Sequence, residues 1–290
     1  MSVSVIGGKA SEGLAKKLAL RLKAKYVPVD LRVFPDGESK ITLQKKPDKG
    51  KIIVVNSTYP PVDSNLIQTL ALISKAKEFS SEIVCVIPYL GYARQDREFL
   101  PGEIVTLSVI ARLIGSAGAS KIVVVDIHSR LGLNLFKIPV KNISAVPELV
   151  NYFKKLHLKD PIVVSPDLGG KSRAEEFAKM YNADVIALKK QRDRKTGKVK
   201  IMSLDLDGVR GHDLVLVDDM ISTGGSIVKA TEFLKKQKCR RVFVACTHAL
   251  LINNAEKRIK KAGVSKIISA NTIPGKTSLV DISGVIAKAI

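Results

Sequence analysis

Two adjacent carboxylates, Asp218 and Asp219, precede a run of small and hydroxyl residues in the segment LVLVDDMISTGGS at 214–226. Glycines let backbone N–H groups approach an anion closely, serine and threonine hydroxyls add donors, and a following helix favours negative charge at its start. One hydroxyl is enough to cap a helix, so capping alone does not explain this run. The pattern predicts a phosphate-binding loop beside acids that accept hydrogen bonds from the vicinal hydroxyls of a ribose. The loop residues are Ser222, Thr223, Gly224, Gly225 and Ser226.

A second segment, SPDLGGK at 165–171, repeats the pattern of an anion-binding loop. A predicted strand ends at Ser165, and Gly169 and Gly170 open backbone donors before a predicted helix. Asp167 offers the hard oxygen ligand that Mg²⁺ prefers. Taken alone, the segment is equally compatible with a structural turn.

Three further segments carry polar side chains at the ends of predicted strands or in turns. GYARQDR at 91–97 offers Arg94 and Gln95, whose planar donors suit phosphate oxygens and the edge of a base. His128 follows the strand predicted at 121–126, where a single histidine is more often structural than a ligand. FPDGES at 34–39 is a turn by composition.

The segment 189–200, KKQRDRKTGKVK, has seven Lys or Arg residues against one acid. It is too polar for the core, so we expect a mobile loop. A solvated run of charge is the usual interpretation of such a segment, but its place between two anion loops favours a function.

Short β-branched runs alternate with helix-period segments along the whole chain. Strands are predicted at 3–6, 51–55, 83–87, 121–126, 162–165, 184–188, 214–217 and 241–246. Helices are predicted at 12–25, 65–79, 104–115, 147–156, 172–181, 226–236 and 255–262. Continuously apolar runs such as IIVV and LVLV are typical of strands covered on both faces. The fold class is therefore α/β, with mainly parallel sheets whose carboxyl ends carry the chemistry.

The strand-and-loop units look duplicated, which predicts two similar domains at 1–143 and 144–290. The last residues of the chain can pack against the first domain. The 290 residues suffice for two cores, with 48 Lys and Arg against 27 acids and a net charge of +21. A basic chain can bind nucleic acid or small polyphosphates, or its lysines can form a solvated surface without a ligand. Aromatic residues are few and tryptophan is absent, which disfavours a surface on which bases stack. Three cysteines without metal-ligand spacing, no long apolar run and no signal-like N-terminus predict a cytoplasmic protein.

The DDxxxTGGS loop resembles the ribose 5-phosphate loop of type I phosphoribosyltransferases and of ribose-phosphate diphosphokinases. FPDGES, PYLGYARQDRE, VVDIHS and VVSPDLGGKSRA all resemble diphosphokinase motifs and lie in the same order. The match runs from about residue 4 to the C-terminus and is similar to the shorter archaeal-type members. The resemblance therefore implies two phosphoribosyltransferase-like domains and transfer of the diphosphoryl group of Mg–ATP to the 1-hydroxyl of ribose 5-phosphate.

The same resemblance implies roles for single residues. Residues implied to bind ATP are Phe34, Asp36, Glu38, Arg94, Gln95 and His128. Residues implied to bind ribose 5-phosphate are Arg192, Asp218, Asp219, Ser222, Thr223, Gly224, Gly225 and Ser226. The implied pyrophosphate loop is Asp167, Leu168, Gly169 and Gly170. Mg²⁺ is the implied cofactor, with His128 and Asp167 beside it, and Lys190 and Arg192 are implied to be catalytic, with Lys189 as an adjacent alternative to Lys190.

The resemblance further implies a homo-oligomer, at least a dimer, in which the 34–38 turn of one subunit covers the adenine of its neighbour; neither nucleic acid nor a membrane is expected as a partner. Two stretches depart from the regulated members of the family. Residues 44–50 read QKKPDKG, and residues 98–103 read EFLPGE, with two acids where the family has cations. We therefore expect weak or absent phosphate activation, and ADP that competes simply with ATP. The alternatives are a phosphoribosyltransferase, a non-catalytic diphosphokinase-associated regulatory protein, and a nucleic-acid binder.

Overall fold

The computed structural model of the protein describes residues 2–192, 199–202 and 207–290. Its backbone contacts divide the chain into two compact units. The first unit consists of Met1–Ser144, Thr272–Pro274 and Asp281–Ile290, and the second of Ala145–Asn271 and Gly275–Val280. Each unit contains a large, mainly parallel β-sheet with its own buried core.

Strands and helices alternate along most of the described residues. The strands are β1 Val3–Gly7, β2 Lys25–Val33, β3 Ser39–Leu43, β4 Lys51–Val55, β5 Ile83–Ile87, β6 Lys121–Val125, β7 Val140–Ile143, β8 Ile162–Ser165, β9 Asp184–Ala187, β10 Lys189–Arg192, β11 Val199–Met202, β12 Asp213–Ile221, β13 Arg241–Ala249, β14 Val264–Ala270 and β15 Ser278–Val280. The helices are α1 Glu12–Leu22, α2 Val62–Lys77, α3 Thr106–Ala117, α4 Val146–Lys154, α5 Lys171–Tyr181, α6 Gly225–Lys236, α7 Ala255–Lys261 and α8 Ser283–Ala287. Within these ranges no helix is both long enough and apolar enough to cross a membrane.

The sheet of the first unit has the strand order β3-β2-β1-β4-β5-β6-β7. Its neighbours are parallel except β3, which pairs antiparallel with β2. The sheet of the second unit has the order β15-β14-β13-β12-β8-β9 and is parallel throughout. Two mainly parallel sheets with intervening helices confirm the predicted α/β class.

The central strands form where the sequence is continuously apolar. In β4 the residues 52–55, IIVV, are completely inaccessible to solvent, as are most residues of β5, β6 and β12. Strands covered by helices on both faces bury every side chain, so they need no polar alternation. This burial is why sequence inspection located these strands to within a few residues.

Sequence inspection missed β2, β3, β7, β14 and β15, all of which lie at or next to the edge of a sheet. Such strands are covered less completely, so polar residues interrupt their apolar runs, as the burial pattern of β3 shows. In β2 the interruption includes Pro28, which usually argues against an inner strand. Periodicity was therefore too weak to reveal them.

The basic segment 189–200 was wrongly predicted to be a loop. Its ends form β10 and β11, which pair antiparallel, Lys189 opposite Met202 and Arg192 opposite Val199. Residues 193–198 lie outside the described residues. Polarity alone does not separate a loop from a two-stranded ribbon, whose strands pair their backbone groups with each other.

Asp213, the first residue of β12, is fully buried and anchors the amino end of the second sheet. Its carboxylate accepts hydrogen bonds from the Lys159 N–H at 2.9 Å, from Arg240 Nη1 at 3.1 Å, and from Arg241 Nε and Nη2 at 3.0 and 2.6 Å. Burial acts to raise the pKa of Asp213, but the hydrogen bonds and positive charge of these partners lower it overall. The folded state therefore favours the ionised carboxylate.

We predict that Asp213→Ala lowers the free energy of unfolding at pH 7 by roughly 2–3 kcal/mol, because the charge-assisted hydrogen bonds from Arg240 and Arg241 are lost and the Lys159 N–H loses its acceptor. A carboxyl whose folded pKa is lowered stabilises the fold above its unfolded pKa of about 4 and loses this effect as the pH falls through the folded value. The difference from wild type should therefore shrink in acid. Urea unfolding at several pH values measures it.

The matched control is Asp184→Ala, which removes an exposed carboxylate from β9 of the same sheet. Equal unfolding midpoints for the two variants at pH 7 would contradict the anchoring role of Asp213.

Candidate functional site

Ligands in open parallel sheets bind at the carboxyl ends of strands, where the strand order reverses. In the second unit the chain leaves β8 towards β9 on one side and later returns as β12 on the other side. The reversal therefore lies between β8 and β12. The two predicted anion loops, 165–171 and 222–226, follow these two strands, so the topology brings them to one crevice.

The acid pair lies inside β12, which corrects the prediction that the strand ends at residue 217. The strand continues to Ile221, and its pairing with β13 includes Asp218. Asp219 is buried and Asp218 is half-buried. The Asp219 N–H donates to Asp218 Oδ1 at 2.9 Å, and the Met220 N–H donates to Asp219 Oδ1 at 2.9 Å. The strand backbone thus fixes both carboxylates at the crevice.

These carboxylates create an excess of buried negative charge. Burial, the charge of Asp219 and a hydrogen bond with it, and the charge of Asp167 together raise the pKa of Asp218 well above its usual value. Arg173, in the first turn of α5, lies 3.7 Å from Asp219 Oδ1 and offsets part of this charge. Arg173 was missed from the sequence; its place shortly after Gly169 and Gly170 was the available signal. A cation or donor hydroxyls bound here would relieve the repulsion.

The 222–226 loop needs glycine at one position for two reasons. Gly224 has a φ of +74°, in the left-handed region that favours glycine. A Cβ on this residue would lie 2.8 Å from Cδ1 of Ile259 on α7. Thr223 and Gly225 are exposed, Ser222 and Ser226 are half-buried, and α6 begins at Gly225. The loop therefore presents hydroxyls and backbone at the start of a helix, as predicted.

The 165–171 loop is closed by its own hydrogen bonds. The Ser165 hydroxyl donates to the Asp167 carbonyl at 2.6 Å, and the Gly170 N–H donates to Asp167 Oδ1 at 3.2 Å. Leu168 is 56% exposed at the tip, and α5 begins directly after Gly170. One oxygen of Asp167 thus shapes the loop that leads into α5.

The acids suit a cation that is bound together with a phosphorylated ligand. Within residues 2–192, 199–202 and 207–290 no three His, Cys, Asp or Glu side chains form a metal site by themselves. Mg²⁺ is usually held by one or two carboxylates together with substrate phosphates. The shared negative charge of Asp167, Asp218 and Asp219 fits that arrangement. His128 belongs to the first unit.

In the first unit the structure joins two of the predicted nucleotide-binding loops. The Ser129 hydroxyl donates to Asp96 Oδ2 at 2.5 Å, which ties the DIHS segment to the GYARQDR segment. Arg94, Gln95 and His128 are exposed on these two loops. Each offers polar groups to solvent at the carboxyl end of the sheet.

Tyr92 restrains the GYARQDR segment and was not singled out from the sequence. Its φ of +62° is rare for a residue with a side chain. Its hydroxyl donates to Asp63 at the start of α2, and this hydrogen bond, with burial and the charge of Asp63, raises the Tyr92 pKa. The Gln95 N–H donates to the Tyr92 carbonyl at 2.8 Å. Tyr92 thus helps to define the turn that carries Arg94 and Gln95.

The FPDGES turn is the tip of the β2–β3 hairpin. The Phe34 N–H donates to the Glu38 carbonyl at 2.9 Å, and the Glu38 N–H donates to Asp36 Oδ1 at 3.1 Å. The Arg32 guanidinium lies over the Phe34 ring, 5.1 Å from its centroid. Asp36 and Glu38 are exposed. These contacts lie within the hairpin, and an adenine-binding role for the turn stays a prediction.

The first unit has its own reversal of strand order, between β1 and β4, but side chains fill it. Asn56 accepts a hydrogen bond from the Ala10 N–H at 3.2 Å and donates to Thr69 Oγ1 at 2.9 Å. A Cβ on Gly8 would lie 2.2 Å from Asn56 Oδ1. The position that corresponds to the crevice between β8 and β12 of the second unit is therefore occupied by the protein itself.

The catalytic roles of Lys190 and Arg192 stay predictions. Both residues belong to β10, and their side chains lie outside what the structure describes.

The 98–103 stretch forms a loop that its own acids close. Glu98 accepts a hydrogen bond from the Gly102 N–H at 2.5 Å, and Glu103 accepts one from the Phe99 N–H at 3.0 Å. Both acids therefore close their own loop, and the expected loss of phosphate activation stays a prediction.

Two family models match most of the chain. Residues 3–118 match the N-terminal domain of ribose phosphate pyrophosphokinase, and residues 147–281 match the phosphoribosyl transferase domain. These matches confirm that both halves are phosphoribosyltransferase-like.

Full-length relatives agree with the family models. The ribose-phosphate pyrophosphokinase of Sulfurisphaera tokodaii is 35% identical over 290 residues, which cover 99% of each chain. The enzyme of the same name from Methanopyrus kandleri is 37% identical over 284 residues, 97% of this chain and 96% of its own. The crystal structure of phosphoribosylpyrophosphate synthetase from Mycobacterium smegmatis superposes with a TM-score of 0.87 at 27% identity, covering 100% of this chain and 97% of that one. The chain belongs to the ribose-phosphate pyrophosphokinase family.

Proposed function

We propose that this protein transfers the diphosphoryl group of Mg–ATP to the 1-hydroxyl of ribose 5-phosphate, giving 5-phosphoribosyl 1-diphosphate and AMP. The observation that carries the proposal is the acid pair Asp218 and Asp219 beside the glycine-rich 222–226 loop, at the reversal of strand order. Together they suit a sugar with vicinal hydroxyls and a phosphate. Full-length similarity to named pyrophosphokinases supports the same reaction.

Ribose 5-phosphate binds through two kinds of contact in this proposal. Asp218 and Asp219 accept hydrogen bonds from the ring hydroxyls. Backbone N–H groups and hydroxyls of residues 222–226 hold the 5-phosphate at the start of α6, where the helix dipole favours an anion. The excess negative charge thus lies near the sugar and the donors near the phosphate.

ATP binds through the exposed polar residues of the first unit. Arg94 and Gln95 contact phosphate oxygens and the base edge, and His128 contacts the nucleotide. Phe34 stacks on the adenine, while Asp36 and Glu38 accept from its exocyclic amine. The 167–170 loop holds the diphosphate that is transferred, with Asp167, Leu168, Gly169 and Gly170 as its residues.

Mg²⁺ is the cofactor in this proposal, and the residues that would hold it are Asp167, the more suitable oxygen ligand, and His128. The ion supplies charge neutralisation for the triphosphate when it is bound. This chain's residues supply the rest: in-line positioning, and cations at Lys190 and Arg192 that offset charge developing on the phosphoryl oxygens. The sugar oxygen forms a bond to the β-phosphorus while the bond from that phosphorus to the AMP oxygen breaks. The hydroxyl proton passes to solvent.

We further propose a homo-oligomer, at least a dimer, in which the 34–38 turn completes a neighbour's nucleotide site. Large apolar side chains near these loops are exposed, which is typical of surfaces that bind another chain. They are Val33 at 59%, Phe99 at 54%, Leu100 at 65% and Ile104 at 72%. A cytoplasmic location, where ATP is abundant, suits the buried free thiols of Cys85, Cys239 and Cys246.

Release of AMP from ATP tests the reaction. We predict release that depends on ribose 5-phosphate, and a fall of about a hundredfold or more in turnover for Lys190→Ala. The matched control is Lys189→Ala, because it removes the same charge from the adjacent position of β10. Lys189→Ala should keep turnover near that of wild type.

Three results would contradict this assignment. Release of AMP without the sugar would indicate a different acceptor, and no release at all would favour a non-catalytic member of the family. Loss of turnover in Lys189→Ala rather than Lys190→Ala would move the catalytic role to Lys189.

We predict that Asp218→Asn raises the melting temperature of the ligand-free protein at neutral pH while it lowers kcat/KM for ribose 5-phosphate by about tenfold or more. The folded pKa of Asp218 is raised, so above about pH 4 the folded state binds more protons than the unfolded state and stability falls as pH rises. Asparagine removes this dependence. The gain should vanish near pH 3, where wild type is protonated in both states.

The control for Asp218→Asn is Glu232→Gln, which removes one exposed negative charge from α6. Thermal unfolding at several pH values compares the variants. A wild type as stable as Asp218→Asn at neutral pH would contradict the buried repulsion at the end of β12.

Mixing subunits tests the shared nucleotide site. We predict that Phe34→Ala and Lys190→Ala proteins are each weakly active, and that exchanged hybrids recover activity because one of their sites carries neither lesion. Steady-state rates before and after subunit exchange, with exchange verified by native mass spectrometry, measure the recovery. Hybrids that form without any recovery would overturn the shared site.

A further inference from the structure

The segment at 251–258 holds the back of the 222–226 loop. Three successive carbonyls, those of residues 221–223, accept hydrogen bonds from it. The donors are, in order, the Leu251 N–H at 3.0 Å, the Ile252 N–H at 3.2 Å and Nη2 of Arg258 at 2.5 Å. The loop is therefore oriented by contacts on the side of its carbonyl groups.

A planar trans peptide points its carbonyl oxygen and its N–H in opposite directions. Carbonyls of residues 221–223 that point towards the 251–258 segment therefore turn the N–H groups of Ser222, Thr223 and Gly224 away from it. These N–H groups are the donors that an anion at the start of α6 requires. The hydrogen bonds at the back of the loop thus determine which way its front faces.

Two of the three supporting hydrogen bonds come from backbone, and only the third comes from a side chain. After Ile252 the chain turns, with positive φ values of 53° at Asn253 and 58° at Asn254, and enters α7. The backbone then no longer follows the loop. Arg258, one turn into α7, reaches back to the Thr223 carbonyl.

α7 also contacts the loop directly, so the position of Arg258 relative to Thr223 is well defined. Ala255 and Ile259 are completely buried on the face of α7 that meets Gly224. Arg258 itself is exposed. Replacing it should therefore leave the packing of α7 intact.

We propose that Arg258 is a positioning residue for the 5-phosphate of ribose 5-phosphate. This inference rests on the proposed function of the 222–226 loop. Arg258 acts through the peptide between Thr223 and Gly224: its guanidinium fixes that peptide, and its charge on the carbonyl makes the Gly224 N–H a stronger donor. Arg258 needs no contact with the substrate to do so.

Steady-state kinetics of Arg258→Ala tests the proposal. We expect KM for ribose 5-phosphate to rise about tenfold, the effect of one charge-assisted hydrogen bond, while kcat and KM for ATP stay within about twofold. Lys257→Ala is the control, since it removes the same charge from an exposed neighbour on α7. Arg258→Lys keeps the charge without the planar guanidinium and should recover only part of the affinity.

Calorimetric titration of ligand-free protein with ribose 5-phosphate separates this proposal from the function on which it rests. Wild type that does not bind the sugar phosphate would overturn the assigned site itself. Wild type that binds it, with Arg258→Ala and Lys257→Ala equally tight or equally weakened, would overturn only the role of Arg258. Weaker binding confined to Arg258→Ala, at an unchanged melting temperature, is the result we expect.

Discussion

Carboxylates inside a protein lose hydration and repel one another, and the carboxyl-terminal half of β12 contains two of them, Asp218 and Asp219, within reach of the charge of Asp167. Burial and the charges of Asp219 and Asp167 raise the pKa of Asp218, so the ionised carboxylate is disfavoured here in the ligand-free protein. Donor hydroxyls and a cation would satisfy it. The glycine-rich loops, the helix starts at α5 and α6 and the guanidinium of Arg173 all lie around this charge.

The pKa values of the buried carboxyl groups at the two ends of β12 are shifted in opposite directions. At the amino end Asp213 receives hydrogen bonds from two arginines and a backbone N–H, and its pKa is lowered. At the carboxyl end the pKa of Asp218 is raised. The partners of Asp213 therefore favour its ionised form, whereas the surroundings of Asp218 disfavour its ionised form. The same strand joins the anchoring of the sheet to the chemistry of the site.

The two units share a parallel-sheet architecture but differ in which loops carry exposed polar groups. Each has a reversal of strand order at the carboxyl edge of a parallel sheet. In the first unit Asn56 and its hydrogen bonds fill that position, and exposed polar groups lie instead on the loops after β5 and β6. In the second unit, glycine-rich loops follow both strands of the reversal. Duplication of a fold thus does not duplicate the site, because a few side chains decide whether a crevice is filled.

The amino-acid sequence by itself determined the central strands, seven of the eight described helices and the family, because continuous apolar runs and compact motifs are local signals; it did not reveal the short helix α8. It did not reveal β2, β3, β7, β14 and β15, whose partial burial at sheet edges leaves mixed patterns, nor the pairing of β10 with β11. Only the tertiary structure decided that Asp218 and Asp219 lie within a strand, and that Arg173 and Arg258 reach this site. Those contacts join residues more than 30 positions apart. Their partners depend on strand order and helix packing, which no local pattern encodes.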